Sequence, residues 1–329
     1  MSSNKQQEYT AIITYSACSE MGRVRSNNED NLYCGGVILT PETRETPFAL
    51  SGEAAAPCLF AVCDGMGGQE EGEFASFAAA SLLPELEEAL KTAPPEKTGR
   101  LVQEYVTKAN KLICDRMSEK SVRIGTTLVL VIVTEEVILP YNIGDSRIYE
   151  YTGGKLSQIS RDHTLTMQKV RMGVLTEEEA KSDRDRNKLT RYLGVFEDEM
   201  VMEAEALPAL PLTERRRLLL CSDGLTDLVN NDRIEEILQS AATCEAAGLL
   251  VAEALEAGGK DNVTCIVIET PPCAALTGKQ DNPDNIVSRL LSGISGRFGK
   301  KQDGGASGDE RHKTIRSLVG RVAGRFPHR

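Results

Sequence analysis

The chain has 329 residues, 40% of them hydrophobic, and a formal net charge of −11. That length can bury a sizeable core in one large domain, and the acidity excludes nonspecific nucleic-acid binding by the main part of the chain. No stretch approaches the roughly 20 apolar residues that span a bilayer, residues 1–8 lack the apolar core of a signal peptide, and nine cysteines without a CxxC pair exclude a disulfide framework or zinc knuckle, so a cytoplasmic protein with reduced core thiols is expected.

In chain order, residues 11–17 and 31–39 read as strands and residues 40–57, with their Pro, Gly and Ala, as a loop. The apolar run 58–63 is a strand that ends on Asp64-Gly65-Met66-Gly67-Gly68. Residues 71–90 carry Phe74, Phe77, Ala78, Leu82, Leu83, Leu86 and Leu90, and residues 98–117 carry Leu101, Val102, Tyr105, Val106, Ala109, Leu112 and Ile113. This spacing predicts two long amphipathic helices, the first kinked or broken at Pro84. Residues 128–133, 137–143 and 147–151 are rich in β-branched and aromatic side chains and predict an antiparallel meander, with Gly153-Gly154 as a tight turn. Residues 162–192 are polar, charged and helix-leaning, and they hold His163, the sole histidine of the main domain; they predict a surface flap. A strand at 217–221, helices at 232–240 and 244–256 and a strand at 262–268 complete the series. Strands in a meander, with helices arriving in consecutive pairs, predict an α+β fold whose sheets are covered by helices.

Four acids stand at the ends of apolar strands: Asp64, Asp145, Asp223 and Asp261. Each alone is a turn signal; four of them suggest one shared site. Carboxylate and carbonyl oxygens, with no His or Cys in these loops, suit hard cations such as Mg²⁺ and Mn²⁺. A glycine after Asp64 lets the backbone carbonyl approach a cation closely. Two such ions about 3.5–4 Å apart, bridged by a carboxylate and a water, are a recurrent device for attacking phosphorus.

Seven segments, in order, carry a resemblance: 25–31 (Arg-Ser-Asn-Asn-Glu-Asp-Asn), 64–68, 125–127 (Gly-Thr-Thr), 142–147 (Asn-Ile-Gly-Asp-Ser-Arg), 189–194 (Leu-Thr-Arg-Tyr-Leu-Gly), 221–225 (Cys-Ser-Asp-Gly-Leu) and 258–264 (Gly-Gly-Lys-Asp-Asn-Val-Thr). Together they resemble the signature set of the metal-dependent type 2C protein serine/threonine phosphatases, the bacterial branch most of all, over about residues 8–271. The resemblance implies a four-layer α-β-β-α sandwich of two antiparallel sheets flanked by helix pairs, with a catalytic domain over 1–271, a flap at about 162–192 and a tail over 272–329. It implies that Asp64 bridges two Mg²⁺ or Mn²⁺ ions, with Asp223 and Asp261 completing the first and the Gly65 carbonyl the second. Glu29 and Asp30 sit beside the second ion in that scheme, and Asp145 with Asp223 corresponds to a third, weaker site. Arg25 corresponds to the arginine that grips the substrate phosphate, a task suited to planar paired donors. The implied reaction is hydrolysis of phosphoserine and phosphothreonine on proteins by direct attack of a metal-bridging water or hydroxide, reversing a cognate Ser/Thr kinase.

One position departs from the eukaryotic pattern, which has a histidine where this chain has Met66; bacterial members commonly have Met there, and a metal water is then the preferred proton donor. His163 is expected to be a structural hydrogen-bonding group. A cysteine-based phosphatase is excluded, because no cysteine is followed six positions later by arginine, and neither a P-loop nor a Gly-x-Ser-x-Gly elbow is present. Within the family a dedicated switch phosphatase for one phosphoprotein is the alternative, and a phosphoprotein-binding pseudophosphatase is disfavoured by the intact Asp64, Asp223 and Asp261. From Pro272 onward, eleven Lys and Arg stand against five Asp and Glu. Ile286, Val287, Leu290, Leu291, Ile294, Phe298 and Ile315, Leu318, Val319, Val322, Phe326 give two basic amphipathic segments around a Gly- and Ser-rich centre. They fit docking on an acidic partner, an anionic membrane surface or the acidic domain itself; a flexible solubilising extension is the favoured reading, because glycines weaken both segments. A monomer is expected.

Overall fold

Strands that are apolar at every position need two buried faces, and the central strands of this protein have them. A computed structural model describes residues 11–45, 47–67 and 71–272. In chain order its elements are β1 (Ile12–Glu20), β2 (Asp30–Cys34), β3 (Val37–Ile38), β4 (Phe48–Ala55), β5 (Cys58–Gly67), α1 (Gly72–Ser81), α2 (Leu83–Thr92), α3 (Thr98–Lys120), β6 (Ile124–Thr126), β7 (Leu128–Val133), β8 (Val137–Ile143), β9 (Arg147–Thr152) and β10 (Lys155–Gln158). They continue as α4 (Leu165–Arg171), α5 (Glu177–Ala180), β11 (Glu205–Ala206), β12 (Leu210–Pro211), β13 (Arg216–Cys221), α6 (Asp223–Thr226), α7 (Asn231–Ser240), α8 (Thr243–Glu256) and β14 (Val263–Thr270). One sheet runs β10-β9-β13-β14-β1-β4 and the other β11-β8-β7-β5-β2-β3, with β12 also on β8 and β6 also on β5. Their paired strands are antiparallel.

Alternation sorts each strand between two cores. On β7, Val129, Val131 and Val133 point between the sheets while Leu128, Leu130 and Ile132 point to α1–α3; β5 divides likewise into Phe60 and Val62 against Leu59, Ala61 and Cys63. On the opposing sheet, Leu218, Leu220, Ile266 and Ile268 meet the inter-sheet layer, and Leu219, Cys221, Cys265 and Val267 pack under α7 and α8. The result is the four-layer α-β-β-α sandwich. The break at Pro84 is real: α1 ends at Ser81 and α2 starts at Leu83, with the proline in its first turn, where a missing N–H costs nothing.

Three local expectations change. Residues 40–57 are not all loop, because β4 is an edge strand on β1; its sequence Phe-Ala-Leu-Ser-Gly-Glu-Ala-Ala is poor in β-formers, and one bonded edge is what holds it. Residues 31–39 are a hairpin rather than one strand, turning at Gly35 and Gly36 with φ of 58° and 81°. The predicted meander is corrected too. β7 and β8 pair, but β9 leaves for the other sheet and pairs with β13. A strand pattern and a short polar turn look alike whether the next strand stays or crosses. The crossover is where Asp145 lies. The readings of the tail fall on residues 273–329, outside the described residues.

Candidate metal centre and active site

The acids meet at one end of the sandwich because of register. Asp64, near the end of β5, lies directly opposite Asp30 at the start of β2. Both are buried, at 5% and 1% exposure, and like charges placed opposite one another in a sheet destabilise it. Burial pushes the Asp30 carboxyl up to about 7; the nearby Asp223 and Asp261 add to the rise, and Ser222 and Thr264 oppose it. Ser222 Oγ donates to Asp30 Oδ2 at 2.8 Å. Arg147 stands opposite Cys221, so Asp145, two residues before one, and Asp223, two residues after the other, leave neighbouring strands at the same end. Asp261 immediately precedes the turn into β14, which also pairs with β13.

Asp64 is seated by the Gly-Thr-Thr segment. Its N–H donates to Thr127 Oγ1 at 2.9 Å, and its carbonyl accepts from the Thr127 N–H and from Thr126 Oγ1, each at 2.9 Å. Gly65 donates to the Glu29 carbonyl at 3.1 Å, and a Cβ there would lie 2.3 Å from the Gly72 carbonyl oxygen and 2.4 Å from that of Glu29. Only glycine fits. Gly224 is as tightly placed, its Cβ position 2.0 Å from the Asn262 carbonyl oxygen, which locks the Asp223 turn to the Asp261 turn.

Arg25, Ser26, Asn27, Glu29, Glu45, Gly67 and Glu73 line an open cleft of about 1060 Å³. Arg25 Nη2 donates to Asp261 Oδ2 at 2.8 Å, with the two side chains 40% and 31% exposed, so solvent screening limits the pair to about 0–1 kcal/mol. It is weak enough to exchange for a phosphate. His163 belongs elsewhere. Its Nδ1 accepts from the Gly144 N–H at 3.0 Å and its Nε2 meets Glu205 Oε2 at 2.6 Å, which assigns the hydrogen to Nε2. Burial lowers its pKa. The neutral ring thus holds the crossover that carries Asp145, a structural role as expected.

Among the described residues, no three His, Cys, Asp or Glu side chains are gathered into a group that could hold a metal ion. The donor chemistry nevertheless fits a hard divalent cation: a buried Asp30 carboxyl raised by burial and by the nearby Asp223 and Asp261, oxygen donors throughout, and a backbone stripped of Cβ at Gly65. Sequence reasoning left Asn262 unassigned, although it stands within the 258–264 segment. Its Nδ2 donates to the Met21 and Asn27 carbonyls and its Oδ1 accepts from the Glu29 N–H, all at 2.8 Å. It therefore staples the loop bearing Arg25 to the loop bearing Asp261. Glu73 was also missed; nothing in its local sequence marks it.

Fold and mouth together define an α-β-β-α sandwich with an all-oxygen acidic centre at one end, the class of metal-dependent phosphatases. The family model for Protein phosphatase 2C matches residues 47–257. Over 255 residues the chain is 33% identical to the Serine/threonine phosphatase stp of Listeria monocytogenes, covering 76% of this chain and 93% of that protein. Over 268 residues it is 34% identical to the Serine/threonine protein phosphatase PstP of Mycobacterium tuberculosis, covering 79% of this chain and 45% of that protein. It is similar to the crystal structure of PstP/Ppp, with a TM-score of 0.67 and 32% identity over 79% of this chain and 99% of that one. A structure of the PstP catalytic domain with two manganese ions gives a TM-score of 0.64 at 32% identity, with the same coverage of both chains. The chain belongs to the protein phosphatase 2C family.

Proposed function

We propose that this protein is a metal-dependent serine/threonine phosphatase that hydrolyses phosphoserine and phosphothreonine on proteins and so opposes a cognate Ser/Thr kinase in the cytoplasm. The observation that carries the site assignment is the buried, in-register pair Asp30 and Asp64 at the mouth that Asp223 and Asp261 share. In this reading Asp64 would be shared by two Mg²⁺ or Mn²⁺ ions, with Asp223 and Asp261 holding one and the Gly65 carbonyl with Glu29 and Asp30 holding the other. Asp145 with Asp223 offers a third. A relative crystallised with two manganese ions supports a divalent metal. When bound, the cations supply an activated water and neutralise charge on the phosphoryl oxygens.

The chain's own residues do the rest. Arg25 leaves Asp261 and takes the substrate phosphate with paired N–H donors. Thr127 fixes the main chain at Asp64 through both backbone groups, and the Ser222 hydroxyl holds the Asp30 carboxylate itself. Met66, opposite Gly125 on β6, carries no proton to donate, and both nitrogens of His163 are engaged; the leaving hydroxyl takes its proton from water. The protein is read as a monomer. The test is phosphate release from phosphothreonine and phosphoserine peptides: it should vanish with EDTA and return with Mn²⁺ or Mg²⁺, and activity that survives EDTA refutes the metal mechanism.

A further inference from the structure

Glu73 lines the cleft with Arg25 and Glu29 but ligates nothing in the assignment above. It stands in the first turn of α1, a helix with no side-chain N-cap, where the exposed N–H groups favour a negative charge. Its Oε1 accepts from Asn27 Nδ2 at 2.8 Å, and its Oε2 pairs with Arg44 Nη2 at 2.8 Å, the two side chains being 12% and 13% exposed. Arg44 comes from the connection between β3 and β4 and closes the circuit: its carbonyl accepts from Asn28 Nδ2 at 3.1 Å. Gly72, one residue before Glu73, lies against the Glu29 carboxyl, its Cβ position 2.8 Å from Glu29 Cδ. Two consecutive residues of α1 therefore meet two residues of the 25–30 segment, Asn27 and Glu29, which lie two and four positions after Arg25.

We infer that Glu73, backed by Arg44, is a positioning residue that sets the phosphate-gripping loop through Asn27, so that Arg25 meets the substrate phosphate with its donors already aligned. The inference rests on the reading of Arg25 given above. A charge-backed hydrogen bond holds a loop more firmly than a neutral one, and Arg44 keeps the Glu73 carboxylate aimed at Asn27 rather than at solvent.

The experiment is a double-mutant cycle on the full chain with a phosphothreonine peptide at saturating Mn²⁺. Asn27→Ala and Glu73→Ala are each expected to raise KM about tenfold with kcat within about threefold, the loss of one good hydrogen bond felt in binding. Their Mn²⁺ affinity by calorimetry should match wild type. Adding Glu73→Ala to Arg25→Ala should cost nothing further, because residues acting through one another are not additive. Asn27→Ala leaves the Arg44 pair intact, so it carries the test if Glu73→Ala does not fold. Additive losses, or Mn²⁺ affinity falling together with substrate affinity, would overturn the inference. Failure of the parent reading shows separately, as an Arg25→Ala enzyme with unaltered kcat/KM.

Discussion

Gly65 shows how much of this site is dictated by single residues. Its Cβ position meets two carbonyl oxygens at 2.3 and 2.4 Å, both backbone atoms that cannot rotate aside. Gly65→Ala should destabilise the protein by about 1–3 kcal/mol, the usual cost of overpacking, and should reduce activity by moving the Asp64 turn. Urea denaturation and peptide hydrolysis measure the two effects. Asp64, Asp223 and Asp261 were legible as strand-end acids, because an apolar run followed by Asp is visible in one dimension. Asn262 and Glu73 were not: their partners lie 235 and 46 residues away, and no spacing rule connects them.

At the scale of elements, the 162–192 segment is a closed loop. Thr164 bridges Leu189, and the Thr190 N–H donates to the His163 carbonyl at 2.7 Å, so the two ends of the segment meet. Inside it, Lys169 pairs with Asp183 and Asp185, and Lys188 pairs with Asp185, at 2.7–2.8 Å. Hydrogen bonds from Lys169 and then Lys188 hold the Asp185 carboxyl at about 2, below its ordinary 3.8. A depressed carboxyl pKa stabilises the folded state above the unfolded value, and the contribution fades as pH falls through the folded one. Stability should therefore decline between about pH 4 and pH 2 through this group. Urea midpoints of wild type and Asp185→Asn at pH 5, 3.5 and 2.5 would test it: the gap between them should close with acid, and a gap independent of pH would contradict the assignment. The central strands were legible because their apolar runs are unbroken. β4 was hidden by weak β-formers at a sheet edge, and the β8-to-β9 crossover by a turn that reads the same in either topology.

At the scale of the molecule, the sandwich brings Asp30, Asp64, Asp223 and Asp261 to the same end of its two sheets, and a layer of Val, Leu and Ile packs those sheets together. Among the described residues no helix is long and apolar enough to cross a membrane. The family match, the four layers and the buried Asp30 and Asp64 pair support the proposal that Asp64 stands at the centre of the metal site. The most direct measurement compares wild type with Asp64→Asn at saturating Mn²⁺, following phosphate release from a phosphothreonine peptide after circular dichroism has shown both to be folded. Asp64→Asn should lose at least about 100-fold in kcat/KM, the scale of an interaction made to the reacting centre. Equal rates in the two proteins would contradict it.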